Sequence, residues 1–255
     1  MQHCRVSGVL PAFLLLAWAA AATAQQTIIN VPSDALTPKG QGFALHESQF
    51  APRSGEAIYI TTNFLTYGLL DHTELAATLY SIDSEGSPLG SLGLGFKTTL
   101  DVFRGALPAL QTKWTGGFML PLSPNQDDHP VGFFPYSHLT VQIPRTELRL
   151  LTGIAAGSKN LFGTNTLSAL GGVEYPLTKH LSFTGEWFSG YHNLSGLVPG
   201  FTYHRKNLIL VGGYKIPNDF EMRESGLVLE VGVFFGPGAL SHDEDPMKHY
   251  GVREP

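Results

Sequence analysis

The chain has 255 residues, a formal net charge of −5 and only 15% charged residues, beside 29 glycines and 11% aromatics. A soluble globular domain carries about 25% charged residues, so the deficit is what a chain surrounded by lipid would show. No run of basic residues points to nucleic acid, and the single cysteine, Cys4, leaves no disulfide framework or thiolate metal site.

Residues 1–24 read as a secretory signal peptide. Arg5 is a short basic start, Val9 to Ala22 is apolar, and Ala22-Thr23-Ala24 is a small-x-small cleavage site. The alternative, an uncleaved membrane helix, would need a longer apolar run. Residues 25–41 are irregular, with Pro32, Pro38 and Gly40, and form either a periplasmic lead-in or a strap folded inward.

From Gly42 to Phe235, strand-like runs alternate with turn clusters. They are expected at Gly42–Phe50, Ala57–Gly68, Glu74–Ile82, Ser91–Val102, Thr112–Leu120 and Phe133–Ile143. They continue at Leu148–Ser158, Thr166–Tyr175, Leu181–Tyr191, Gly196–His204, Leu208–Lys215 and Gly226–Phe235. Their lengths suit tilted membrane strands. The clearest stretch is Thr166–Tyr191. Leu167, Ala169, Gly171, Val173 and Tyr175 alternate with Ser168, Leu170, Gly172 and Glu174. After a tight turn, Leu181, Phe183, Gly185 and Trp187 alternate with Ser182, Thr184 and Glu186. Period 2 on both sides of a turn marks a β-hairpin. The last strand is equally clean, with Leu227, Leu229, Val231, Val233 and Phe235 on one face and Val228, Glu230 and Gly232 on the other.

Very short connections (69–73, 144–147, 176–180, 205–207) alternate with longer ones rich in Gly, Pro, Asp and Asn; the connection 103–111 departs from this pattern. Two of the short turns share a Tyr-x-Leu-x-x-His hexamer, Tyr67–His72 and Tyr175–His180. A tyrosine at the membrane interface before a polar turn accounts for it. In these features the chain, over about Gly42 to Phe235, resembles the outer-membrane β-barrel proteins of Gram-negative bacteria, especially small porin-like or transporter-type barrels. The resemblance implies an all-β fold, a single antiparallel up-and-down transmembrane barrel of about 12 strands at residues 42–236, in the bacterial outer membrane. Its partners would be outer-membrane lipids, the barrel-assembly machinery during biogenesis and an unknown small solute. Such barrels usually end on an aromatic; here Phe235 precedes a polar tail, residues 237–255, with the acidic stretch His242–Asp245.

A Lys or Arg facing lipid at mid-membrane costs about 2–4 kcal/mol. The charged faces must therefore look inward, with Glu74, Lys97, Asp101, Lys113, Arg149, Glu174, Glu186, His204, Lys215 and Glu230 lining a lumen. They would form either a solute pathway or a salt-bridged plug. Tyr67, Tyr175, Trp187 and Phe235 would anchor the barrel at the interfaces. A soluble, lipocalin-like periplasmic barrel would invert both faces.

His46 and Ser48 stand two apart on one strand face, as do His138 and Thr140. A serine hydrolase needs such a pair plus an orienting Asn or Asp, and no adjacent residue supplies one. The remaining histidines lack His-x-His or His-x-x-x-His spacing, so no metal is expected. Gly93–Gly95 lacks the rest of a nucleotide loop. The expectation is a passive channel or transporter for a small solute, without enzymatic activity or cofactor. The alternatives are a non-conducting structural or ligand-binding barrel, a soluble binder, and a lipid-modifying enzyme.

Overall fold

The computed structural model describes residues 31–53, 56–83, 89–103, 110–122, 131–144, 146–162, 166–192, 194–219, 225–237 and 239. The expected signal peptide and almost all of the tail lie outside the described residues. Twelve strands follow in chain order: β1 (Gly42–Arg53), β2 (Glu56–Leu70), β3 (Thr73–Asp83), β4 (Leu89–Val102), β5 (Gln111–Leu122), β6 (Phe134–Gln142), β7 (Arg149–Ala156), β8 (Leu167–Pro176), β9 (Leu181–Phe188), β10 (Gly196–Arg205), β11 (Leu208–Lys215) and β12 (Gly226–Phe235). One helical turn, α1 (Lys159–Phe162), lies between β7 and β8. Each strand pairs antiparallel with its chain neighbours, and β12 closes on β1. Closure leaves no strand edge unpaired, which is what permits a sheet to stand in hydrocarbon.

The departures from the expected bounds have local causes. β9 stops at Phe188, not Tyr191, because Gly190 takes φ +98° and the Asn218 amide donates to the carbonyls of Phe188 and Gly190. β7 stops at Ala156 because Ser158 opens α1, its carbonyl accepting from Leu161 and Phe162. The unusual connection after β4 does not disturb pairing: β4 and β5 run in register from Leu92↔Leu122 to Val102↔Thr112.

Alternate residues sort cleanly. On β12, Leu227, Leu229 and Val231 are exposed, whereas Val228 and Glu230 are buried. On β4, Leu92, Leu94, Phe96 and Leu100 look outward and Lys97 inward. The apolar belt therefore faces away from the axis, the reverse of a soluble binder. Four short connections and the longer one after β4 lie at one rim with Gly42 and Phe235; the others, long except for residues 54–55 after β1, lie at the opposite rim. The repeated hexamers serve that first rim in the same way. The carbonyls of His72 and His180 accept from the backbone N–H groups of Thr99 and His204, at 3.0 and 2.8 Å, extending the ladder to the next hairpin.

The lumen is occupied. Residues 31–41 turn in at the short-turn rim and climb the inside of the wall as a strap. Lys39 bridges to Gly68, and Val31 reaches an apolar cluster with Phe134, Tyr136, Leu151, Phe162 and Phe188. Phe134, Phe162 and Phe188 contact one another edge-on or stacked, with centroids 5.7–6.3 Å apart, at the long-loop end. Gly68 makes the strap's passage possible: a Cβ there would lie 2.2 Å from the Pro38 carbonyl oxygen.

Candidate functional site

Two sets of polar side chains are separated by the wall. Inside, the Glu74–Lys97 pair is fully buried at 3.0 Å, and Glu74 also accepts the Thr37 N–H at 2.6 Å. Lys113 meets Asp34 at 3.3 Å, and Arg149 binds both Asp34 and Glu174. Glu186 accepts the Val31 N–H at 2.8 Å. Lys215 reaches Gln49 at 3.4 Å, and Glu230 stands opposite Glu47 in the β1–β12 register, both buried. Asp101 and His204 lie instead at the short-turn mouth, where with Lys113 and the strap they border a cavity of about 260 Å³.

The strap is thus held by ionised wall groups, and Asp34 is its main anchor. Burial alone would raise the Asp34 carboxyl, but Arg149, Lys113 and His138 outweigh it and bring it down to about 2. Sequence reading missed Asp34 and Glu47. His138 looks inward and is buried, with Thr140 Oγ1 at 3.5 Å from its Nδ1, so this pair belongs to the packed interior. Tyr67, Tyr175, Trp187 and Phe235 are all exposed on the outer wall. Tyr67, Tyr175 and Phe235 sit toward the short-turn rim and Trp187 toward the other, where its indole N–H donates to Asn218 at 3.1 Å.

The second set is on the outside. β1 turns His46 and Ser48 outward, and the β1–β2 register sets Asn63 directly opposite His46. His46 Nδ1 lies 2.8 Å from Asn63 Oδ1, and His46 Nε2 lies 3.0 Å from Ser48 Oγ. Because an amide oxygen only accepts, Nδ1 carries the proton and Nε2 is left to accept from the serine hydroxyl. Tyr59 completes the group, its hydroxyl 2.9 Å from Ser48 Oγ. The orienting residue that seemed absent is therefore Asn63, seventeen residues from His46 along the chain but adjacent to it across the sheet. On the other side of β1, His46 and Ser48 pair with Val231 and Leu229, both exposed on the apolar belt. A Ser-His-Asn relay can supply a nucleophile, a general base and a group that fixes the base's tautomer. Among the described residues no cluster of His, Cys, Asp and Glu could hold a metal ion.

No protein-family model matches the sequence, and no curated protein matches it. Among solved structures, the KdgM porin in complex with disordered oligogalacturonate matches with a TM-score of 0.55 at 10% identity, over 76% of this chain and 99% of that one. Outer membrane phospholipase A from Escherichia coli matches at 0.43 and 12% identity, over 78% and 93%. An outer-membrane channel from Pseudomonas putida F1 matches at 0.42 and 12%, over 79% and 97%. At these identities the likeness is one of fold, and the chain has the architecture of the outer-membrane porin-like barrels.

Proposed function

We propose that this barrel is an outer-membrane serine hydrolase that cleaves carboxylic esters of lipids from within the bilayer. The observation that carries this reading is the ordered Asn63–His46–Ser48 relay on the lipid-facing wall, with 2.8 and 3.0 Å contacts. Ser48 Oγ attacks the ester carbonyl while its proton passes to His46 Nε2. The carbonyl π pair moves to oxygen, and collapse expels the lipid alcohol, which takes the proton from His46. Water, losing a proton to the same nitrogen, then attacks the acyl carbonyl; collapse frees the fatty acid and His46 returns the proton to Ser48 Oγ. Asn63 holds the imidazole in the required tautomer throughout. This departs from the expectation of a barrel without chemistry, and the dense lumen supports the departure, because the interior then serves as a rigid support for a site built on its outer wall.

The test is labelling by a fluorophosphonate, together with ester hydrolysis in mixed micelles. The folded protein should be labelled and active, and Ser48→Ala should lose both. Equal labelling of the two, or an inactive folded parent, refutes the proposal.

A second reading, a solute conduit, is favoured by the 260 Å³ cavity at the short-turn mouth with Asp101, Lys113 and His204 on its border. Passage would require the strap to leave the lumen. Conductance in planar bilayers that appears when residues 31–40 are deleted would support it, and a silent bilayer would refute it.

A further inference from the structure

The relay supplies a nucleophile and a base but says nothing of what receives the charge on the carbonyl oxygen. In serine hydrolases that charge is met by donors aimed at it, commonly backbone N–H groups. Here the wall denies that solution. From Gly42 to Phe50, β1 is paired on both sides, to β12 and to β2, so the backbone donors around Ser48 are committed to the two ladders. The donor must come from a side chain on the outer face. Tyr59 lies two residues along β2 from Thr61, the residue opposite Ser48, which brings its hydroxyl within 2.9 Å of Ser48 Oγ. His46 Nε2 already accepts the serine proton, so the tyrosine hydroxyl donates to Oγ.

We infer that Tyr59 is the oxyanion donor of this site, a catalytic residue, and that its position fixes where the scissile ester must lie. This rests on the hydrolase reading above. When Oγ becomes an ester oxygen, its lone pairs are drawn into the new bond. The Tyr59 hydroxyl then swings to the neighbouring carbonyl oxygen as negative charge develops there. That is a hydrogen bond made stronger in the transition state than in the ground state, which is the requirement for raising kcat. Tyr59 is exposed on the outer wall, and Ser48 pairs with Leu229, three residues from the long-loop end of β12. A tyrosine with an apolar ring and a hydroxyl in use belongs at the ester level of a bilayer. The substrate class is therefore an acyl ester of a lipid in the leaflet on the long-loop side, its chain against Leu229 and Val231.

The experiment compares the parent, Ser48→Ala, Tyr59→Phe and Thr61→Val in mixed micelles, with heat-shifted electrophoretic mobility reporting folding. Tyr59→Phe keeps the ring and removes the donor. It should lower kcat by about 10²–10³ with KM little changed, as loss of one oxyanion donor does. Thr61→Val should leave both constants near the parent's. If Ser48→Ala is inactive while folded Tyr59→Phe keeps kcat within about threefold, the inference fails and the hydrolase reading survives. Loss in Thr61→Val with Tyr59→Phe intact moves the donor to Thr61 and overturns it equally. Activity retained in Ser48→Ala removes the hydrolase reading itself.

Discussion

Replacing Asp34 with asparagine should loosen the strap. Asp34 is buried, and its carboxylate meets Lys113 at 3.3 Å and Arg149 in a direct ion pair. With the strap withdrawn, the carboxyl returns to water and its ordinary value of 3.8, against about 2 in place. That difference corresponds to about 2.5 kcal/mol at 1.36 kcal/mol per unit. The folded value is the lower one, so the contribution is complete above about pH 4 and is lost as the pH falls toward 2. Asparagine removes it at every pH and takes the carboxylate away from both Lys113 and Arg149, the latter keeping Glu174, which adds to the loss. At pH 7, hydrogen exchange of the peptide covering residues 31–41 should accelerate at least 30-fold in Asp34→Asn, read by mass spectrometry against the barrel strands. The parent should show the same acceleration only on acidification toward pH 2, after correction for intrinsic exchange. Equal exchange in parent and variant at pH 7, with no acid response in the parent, would refute the assignment of Asp34 as the anchor.

Asn63→Ala removes the acceptor 2.8 Å from His46 Nδ1. A single neutral hydrogen bond contributes about 0.5–1.5 kcal/mol, so kcat should fall about 2- to 10-fold with KM unchanged, measured on the same micellar ester. Gly68→Ala would set a Cβ 2.2 Å from the Pro38 carbonyl oxygen and 2.4 Å from that of Thr37. Both contacts are backbone, so the strap must move; exchange of residues 31–41 should rise while the barrel's heat-shifted mobility persists.

The wall was legible because one face had to be apolar and the other was free to carry charge. Leu227, Leu229 and Val231 against Glu230 read the same in the sequence as in the fold. The strap was readable only as one of two alternatives, and its path through the lumen was not legible. Nothing in Val31-Pro32-Ser33-Asp34 has a period, and its place is set by Glu74, Arg149 and Glu186, which come from distant strands. Asn63 lay between these cases. A two-residue connection at residues 54–55 pairs Arg53 with Glu56, and counting back along both strands sets His46 opposite Asn63. Along one strand, neighbours in sequence point to opposite faces; across the hairpin, register decides contact, and that is where His46 meets Asn63.

The same logic separates a working site from a decorative one on this wall. Trp114 and Ser137 also face outward, and the indole N–H donates to the hydroxyl at 2.9 Å. That pair satisfies a donor which any tryptophan must place somewhere, and it ends there. His46, Ser48 and Asn63 are different, because none is needed to fill the belt: a valine or leucine at each would suit hydrocarbon better, as at Val231 and Leu229 alongside. Each polar group in the trio is satisfied mainly by another member, and the chain of bonds links an amide oxygen that only accepts to a hydroxyl whose proton can leave. A wall that sends its charges inward and pairs them there, yet keeps an imidazole on its apolar belt, aims that imidazole's Nε2 at a serine. That is the geometry a general base must have before it acts.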